Sequence, residues 1–322
     1  MSAEKITKAF KAIKAGCKRV KVHQAVDGLL CTDGDHELTL WVDTPEGLLP
    51  ERTWDSLDLF LLDVEDREIV PPAREPVGVA VSAKEWEPIL WASLATDQES
   101  TRYQLGGVLF CGQGVTATDG RRLHRAGTVA DFGDQYTRIV PLRAVKAVAA
   151  LIKLFKDRSV LVDFDAQVDC VVVCGEKWKY KTRLVEGRYP KWESVCFHLQ
   201  SEPSSEVLLF ESHLTAAKAA VARHKLEIKA GTAVEDFVPW QEIASAGNGL
   251  PACLIDPKYL VDGLALLNGS KSITGKVHNN RYRELVILGD NRSFAVIMGG
   301  GDLPPATKSN AEKVEELQDA RT

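Results

Sequence analysis

The sequence has no apolar run near the roughly 20 residues that a membrane-spanning helix needs, which excludes a helical integral membrane protein. Its first ten residues, MSAEKITKAF, lack the apolar core of a signal peptide. Its seven cysteines include no C-x-x-C pair. Cys170 and Cys174 stand four apart on an expected strand, so they share one face, and no histidine pair at ligand spacing accompanies them. They read as small buried apolar residues, and the expectation is a reduced, cytoplasmic protein with no metal. Positive charge is not in excess either: 40 Lys and Arg meet 45 Asp and Glu, for a net charge of −5. That argues against a protein coating nucleic acid with its outer surface. It leaves room for a basic lining inside an acidic exterior.

What is present is a globular composition, 45% hydrophobic and 26% charged. A length of 322 residues suits two or three domains of roughly 100–200 residues each. Residues 2–18 form an expected helix with Ile6, Ala9, Phe10, Ile13 and Cys17 in one arc. Lys5, Lys8, Lys11, Lys14 and Lys18 spread across the opposite side with Glu4 as the one nearby acid. A solvated helix face normally mixes signs, so this is either an unusual solvated face or a surface for an anionic partner.

Strands follow at 19–22, 29–32 and 37–42, then a second expected helix over Pro50–Leu61 with Trp54, Leu57 and Leu61 on one face. PPAREPVG at 71–78 reads as a linker. Ser82-Ala-Lys-Glu85 is a capping box that opens a third helix. Pro141 starts a fourth, whose Arg143, Lys146 and Lys153 cluster on one side. Strands at 159–164, 169–174 and 178–184 precede a second linker, SEPSS, at 201–205. A fifth helix covers 212–224 and carries Lys218, with Arg223 and Lys225 beside it, a sixth starts at Asp256-Pro257, and strands at 285–288 and 294–298 follow. The plan of a helix, strands, a second helix and more strands thus repeats in 1–77, 78–203 and 204–302, with a polar tail at 303–322.

The most informative stretch is TRYQLGGVLFCGQGVTATDGRRLHRA, 101–126. Asp119-Gly120 makes a tight turn between apolar strands. The turn sets Thr118, Gly120, Arg121, Arg122 and Leu123 side by side at a sheet end. A leucine flanked by arginines suits a peptide-docking pocket, with an ordinary hairpin and a solvated basic tip as the alternative. Asp119, His124 and Asp163 could also be read as an acid–base hydrolase site, though no nucleophile or ligand pattern surrounds them.

RYQLGGVLF, VTATDGRRL and VEGRYPKWESV (185–195), in this order and spacing, resemble the middle domain of the bacterial DNA polymerase III beta sliding clamp family. FAVIM at 294–298 resembles the apolar strand that ends that family's last domain. The resemblance implies an α+β DNA clamp fold: three repeated domains, each with two inner helices and outer antiparallel sheets, the first shortened here. It implies a homodimer ring around duplex DNA that tethers a replicative polymerase and is placed by a clamp loader, with no catalytic residues. The alternative is a clamp-like adaptor that docks peptides without encircling DNA.

Carried over position by position, the resemblance implies a partner-peptide cleft. Its first part comprises Arg102, Leu105, Thr118, Gly120, Arg121 and Arg122. Its second comprises Leu123, Pro190, Val195, Tyr259, Val296 and Met298. Val296 and Met298 are equally readable as a plain core strand. DNA would face Lys8, Lys11, Lys14 and Lys18 on the first helix, Arg143, Lys146 and Lys153 on the fourth, and Lys218 on the fifth. Where the family's last strand runs on into Pro-Met, Gly299-Gly300-Gly301 follows Met298 here.

Overall fold

The computed structural model describes residues 1–14, 21–25, 28–33, 35–42, 53–54, 69, 75–97, 102–165, 168–196, 203–229, 238–239, 254–267, 272–278, 284–290 and 292–299. The chain divides into two compact units. The first comprises Met1–Cys196 with Gly289–Ala295, and the second Phe197–Leu288 with Val296–Thr322.

In the first unit, α1 (Ala3–Lys14) buries Ile6, Ala9 and Phe10, as its apolar arc predicts. Strands β1 (Lys21–Ala25), β2 (Gly28–Thr32) and β3 (His36–Leu40) form an antiparallel meander. The short β4 (Thr53–Trp54) pairs with β1. This corrects the start of the helix expected over Pro50–Leu61: Thr53 and Trp54 are strand formers and take ladder positions opposite His23 and Val22. The rest of that span, with Leu57 and Leu61, lies outside the described residues, as do Cys17 and the tail at 303–322. Among the described residues, five helices of eight residues or more are present, and most of the span expected for the second of the six lies outside them.

The meander does not stop at β3. β5 (Val79–Ser82), β10 (Ser159–Asp165), β11 (Cys170–Cys174) and β12 (Trp178–Arg183) continue it in the order β4-β1-β2-β3-β12-β11-β10-β5. The join is a ladder from Trp178 opposite Leu40 to Thr182 opposite His36. Residues expected in the first and second domains therefore share one antiparallel sheet. Cys170 and Cys174 are both buried on β11, and burial pushes the Cys174 thiol up to about 11.

Helix α2 (Ala83–Ala92) begins with the expected capping box. Ser82 Oγ accepts from the Glu85 N–H at 3.2 Å, and Glu85 Oε2 accepts from the Ser82 N–H at 2.9 Å. Two otherwise unpaired donors at the helix start are thereby satisfied. Helix α3 (Leu142–Phe155) buries Val145, Val148, Leu151 and Ile152. Trp86 of α2 donates its indole N–H to the Val145 carbonyl at 3.2 Å, and Lys5 of α1 sits over the Phe155 ring at 5.0 Å.

A second sheet carries β6 (Gly107–Phe110), β7 (Gly114–Thr118), β8 (Arg122–Gly127) and β9 (Ile139–Pro141) in the order β8-β7-β6-β9. Phe294 and Ala295, the first two residues of the last strand, Phe294–Ile297, also belong to this unit.

The second unit holds β13 (Ser204–Phe210), α4 (Glu211–Lys229), β14 (Val238–Pro239), β15 (Leu254–Ile255), α5 (Pro257–Leu264), β16 (Ser272–His278) and β17 (Leu285–Leu288). Phe294–Ile297 is β18. Ser204 and Ser205, expected in a linker, instead open β13 and pair with His278 and Val277. The ladder asks only for backbone groups there, and the apolar alternation begins later, at Val207 and Leu209. Asp256 caps α5 by accepting from the Lys258 N–H at 2.8 Å, with Pro257 in the first turn.

One buried histidine ties the β3 end of the first sheet to α3. His36 Nε2 accepts from Arg143 Nε, so its Nδ1 carries the proton and donates to Tyr180 Oη at 2.5 Å. Burial first, then the Arg143 guanidinium, lowers its pKa to about 4. A lowered histidine favours folding while neutral, so this contribution is fully present above the unfolded pKa near 6.5. It is lost as pH falls from there through about 4. Urea midpoints between pH 7 and pH 4 should therefore decline, and His36→Gln should flatten the decline; an unchanged slope would remove His36 as its source.

Candidate functional site

The site is built on the β7–β8 hairpin. Thr118 and Leu123 are its last paired residues, leaving 119–122 as the turn. Gly120 has φ +88° with open space around it, so its glycine is required by the backbone and not by crowding. Asp119 Oδ1 accepts from the Arg121 and Arg122 N–H groups, both at 2.9 Å. Thr118 Oγ1 donates to the Arg122 carbonyl at 2.5 Å and accepts from the Gly120 N–H at 3.0 Å.

The arginine after this turn faces inward. Arg122 is 6% exposed. Its Nε donates to Asp119 Oδ2 at 3.0 Å, and its Nη2 donates to the Leu94 carbonyl beyond α2 at 2.7 Å. It works as an internal clamp between hairpin and helix. His124, one alternation further on the same face, is fully buried and stacked on Trp91 at 4.5 Å. Burial, reinforced by Arg122, lowers its pKa to about 3, so it stays neutral. Asp163 lies on β10, in the other sheet. The Asp119, His124 and Asp163 set therefore shares neither a sheet nor a common exposed face.

Leu123 and Arg125 point to the opposite face, with Thr118 and Thr116 as their cross-strand partners. That face is covered by Leu105, Leu109, Cys111, Ile139 and Tyr189, on which Tyr136, Val185 and Trp192 pack. The Thr118 N–H donates to Tyr189 Oη at 2.9 Å, which joins the TDGRRL turn directly to the EGRYP segment. Tyr189 is 2% exposed, and burial raises its phenol well above the usual range, so it stays a neutral hydrogen-bonding group. Beyond it Pro190 and Val195 are exposed.

Of the twelve cleft residues expected, nine lie in the first unit. Thr118, Gly120, Arg121, Arg122 and Leu123 come together at the turn, with Pro190 reached through Tyr189. Leu105 is buried beneath them, and Arg102 and Val195 are exposed. Tyr259 on α5, Val296 on β18 and Met298 just after it belong to the second unit. There Val296 is buried, and Tyr259 and Met298 are half-buried.

Among the expected DNA-facing residues, Lys8, Lys11, Lys146, Lys153 and Lys218 are exposed. Lys8 pairs with Glu4 at 2.6 Å. Arg143 is bound to His36 and to Asp33, the latter at 3.5 Å. Lys18 and the side chain of Lys14 lie outside the described residues. Among the described residues, no group of three His, Cys, Asp or Glu could hold a metal ion and no helix is long and apolar enough to cross a membrane.

No family model and no curated protein matches this sequence. Solved structures do. The DNA polymerase sliding clamp of Bacillus subtilis aligns over 94% of this chain and 98% of its own, with TM-score 0.66 and 15% identity. The DNA polymerase III beta subunit of Borrelia burgdorferi, in complex with a natural product, aligns over 93% and 98%, with TM-score 0.68 and 13% identity. The Helicobacter pylori beta clamp bound to a DNA ligase peptide aligns over 93% and 98%, with TM-score 0.65 and 14% identity. This chain has the sliding-clamp fold. The fold expected from three short motifs is thus found across nearly the whole sequence.

Sequence reading missed Tyr189 and Trp192 as structural partners of the hairpin, and it missed Arg125. Arg125 stands two residues after Leu123, and the strand period alone puts both on one face. Arg122→Ala should cost roughly 1–3 kcal/mol, because it removes the bonds to the Asp119 carboxylate and leaves the Leu94 carbonyl without this donor. Tyr189→Phe should cost about 1–3 kcal/mol by leaving the Thr118 N–H unpaired. Urea unfolding would test both, and losses below about 0.5 kcal/mol, the scale of an ordinary surface change, would contradict this account of the turn.

Proposed function

We propose that this protein is a DNA polymerase processivity factor: a homodimeric sliding clamp, loaded onto duplex DNA in the cytoplasm by a clamp loader. In this reading it tethers a replicative polymerase and other replication proteins through short peptides. It divides into domains 1–77, 78–203 and 204–302 with a tail at 303–322, and has no catalytic residues or cofactor of its own. Fold alone does not assign function. The observation that carries the reading is the Thr118 N–H to Tyr189 Oη bond at 2.9 Å. It fastens together the two motifs that the clamp resemblance assigns to the peptide site.

The chemistry supports docking of an apolar peptide. Pro190 and Val195, both exposed, supply apolar surface, Val195 being 45% exposed, over the buried Leu123. Arg102 and Arg121, both exposed, offer donors at its edge. The solved Helicobacter pylori clamp carries a DNA ligase peptide, which makes that peptide a suitable first probe. By the resemblance Tyr259, Val296 and Met298 contribute to the same site. Lys8, Lys11, Lys14, Lys18, Lys146, Lys153 and Lys218 would touch phosphates without reading bases, while Arg143 is engaged by His36 and Asp33.

A second reading is a peptide-docking adaptor that does not encircle DNA. It is favoured by the short first domain, 1–77 against 78–203 for the middle one. Solution mass and retention on circular DNA separate the two. The clamp should be a dimer at micromolar concentration, stay on closed circles and slide off after linearisation; a monomer at every concentration would favour the adaptor. Lys11, Lys146 and Lys153 changed to Glu should weaken retention, with a shallower salt dependence. Unchanged retention at low salt would return these lysines to a solvated face. At the peptide site, micromolar binding is on the order of −8 kcal/mol, and Met298→Ala should weaken it by roughly 1–2 kcal/mol. Absence of binding with the fold intact would end the docking claim.

A further inference from the structure

Arg125 differs from every other arginine near the hairpin. Arg122 is committed internally, and Arg102 and Arg121 are exposed. Arg125 is half-buried, and its guanidinium carbon lies 4.2 Å from the centre of the Trp192 ring. One of its nitrogens, Nη1, donates to Thr116 Oγ1 at 3.0 Å. Gly114 leaves space for it: a Cβ there would lie 3.0 Å from Nη2. No ion pair reaches it among the described residues. The acid whose charge it feels, Glu193, accepts the Tyr136 hydroxyl at 2.5 Å. The other groups whose charge it feels are Cys111, Cys196 and Tyr136, and burial holds all three in their neutral forms. A guanidinium has five N–H donors, and the nitrogens without a partner are not sealed from solvent.

A partly buried cation with most donors unused is costly unless something pairs with it; here burial already lowers its pKa. We propose that Arg125, backed by Trp192 and Thr116, receives a carboxylate of the peptide docked beside the segment that carries Trp192 and the exposed Val195. The inference rests on the peptide-docking reading above and specifies its partner: an apolar peptide carrying an acidic group. A phosphate fits less well, because this is a single guanidinium beside apolar Leu123 and Trp192, whereas a dianion calls for several cations. The carboxylate can belong to an Asp or Glu side chain or to a peptide C-terminus.

The probes are synthetic hexapeptides of Leu, Phe and Ser with one Glu at each position in turn. Each is paired with its Gln counterpart and prepared with a free or an amidated C-terminus. Binding to the full chain is read by fluorescence anisotropy. The best Glu peptide should bind at least about tenfold more tightly than its Gln counterpart, the scale of a charge-assisted hydrogen bond. That preference should shrink with salt. Dependence on the free C-terminus instead would assign the carboxylate to the chain end. Arg125→Gln should abolish the preference, and Arg125→Lys should retain only part of it, since lysine cannot bind bidentately. The wild-type preference needs no variant, so a misfolded variant leaves the test intact. Equal binding of acidic and neutral peptides would overturn the proposal alone. Failure of every peptide to bind would remove the docking reading and this inference together.

Discussion

The candidate site depends on one buried ion pair. Asp119 and Arg122 close a four-residue turn between two strands whose own ladder ends at Thr118 and Leu123. An isolated arginine at 6% exposure would be prohibitive. Here it is neutralised by Asp119 and bonded to the Leu94 carbonyl past the end of α2. The turn is thereby fastened to a helix on one side. On the other, Tyr189 accepts the Thr118 N–H and fastens the turn to the segment that carries Pro190 and Val195. A short peptide gains affinity from a surface only if the surface does not have to be ordered first. The double fastening leaves the turn ordered in advance, which is what the docking proposal requires of it.

Much of this was legible in the sequence because the patterns were local. The capping box of Ser82 and Glu85, the apolar arc of Ile6, Ala9 and Phe10, and the Asp119-Gly120 turn each need only a few neighbouring residues, and each is present as read. What was not legible depended on distant partners. Thr53–Trp54 becomes a strand because β1 offers a ladder, and Ser204–Ser205 because β16 does. No window around either segment contains that information.

The inward face of Arg122 was illegible for a related reason. Strand alternation says that residues 122 and 123 point opposite ways, but the sequence does not say which face meets α2. Either arginine, 122 or 125, could have been the one turned toward a ligand. The structure separates them: 122 shares the face of buried His124, and 125 shares the face of Leu123. The residue type that invites a functional reading at the turn is structural there. The less conspicuous residue three positions on keeps its donors available.

The same sorting applies to charge as a whole. A net charge of −5 describes the sum and not the field. Arg122 and Arg143 are spent inside the fold, one on Asp119 and the other on His36 and Asp33. Their positive charge is balanced within a few ångströms and projects little outward. Lys11, Lys146 and Lys153 are exposed, and no ion pair among the described residues balances them. Water screens each of them, and a polyanion gains from such charges only by releasing its own counterions. An acidic protein can therefore still present cationic helix faces, provided that its arginines hold the fold together and its lysines stay on the surface.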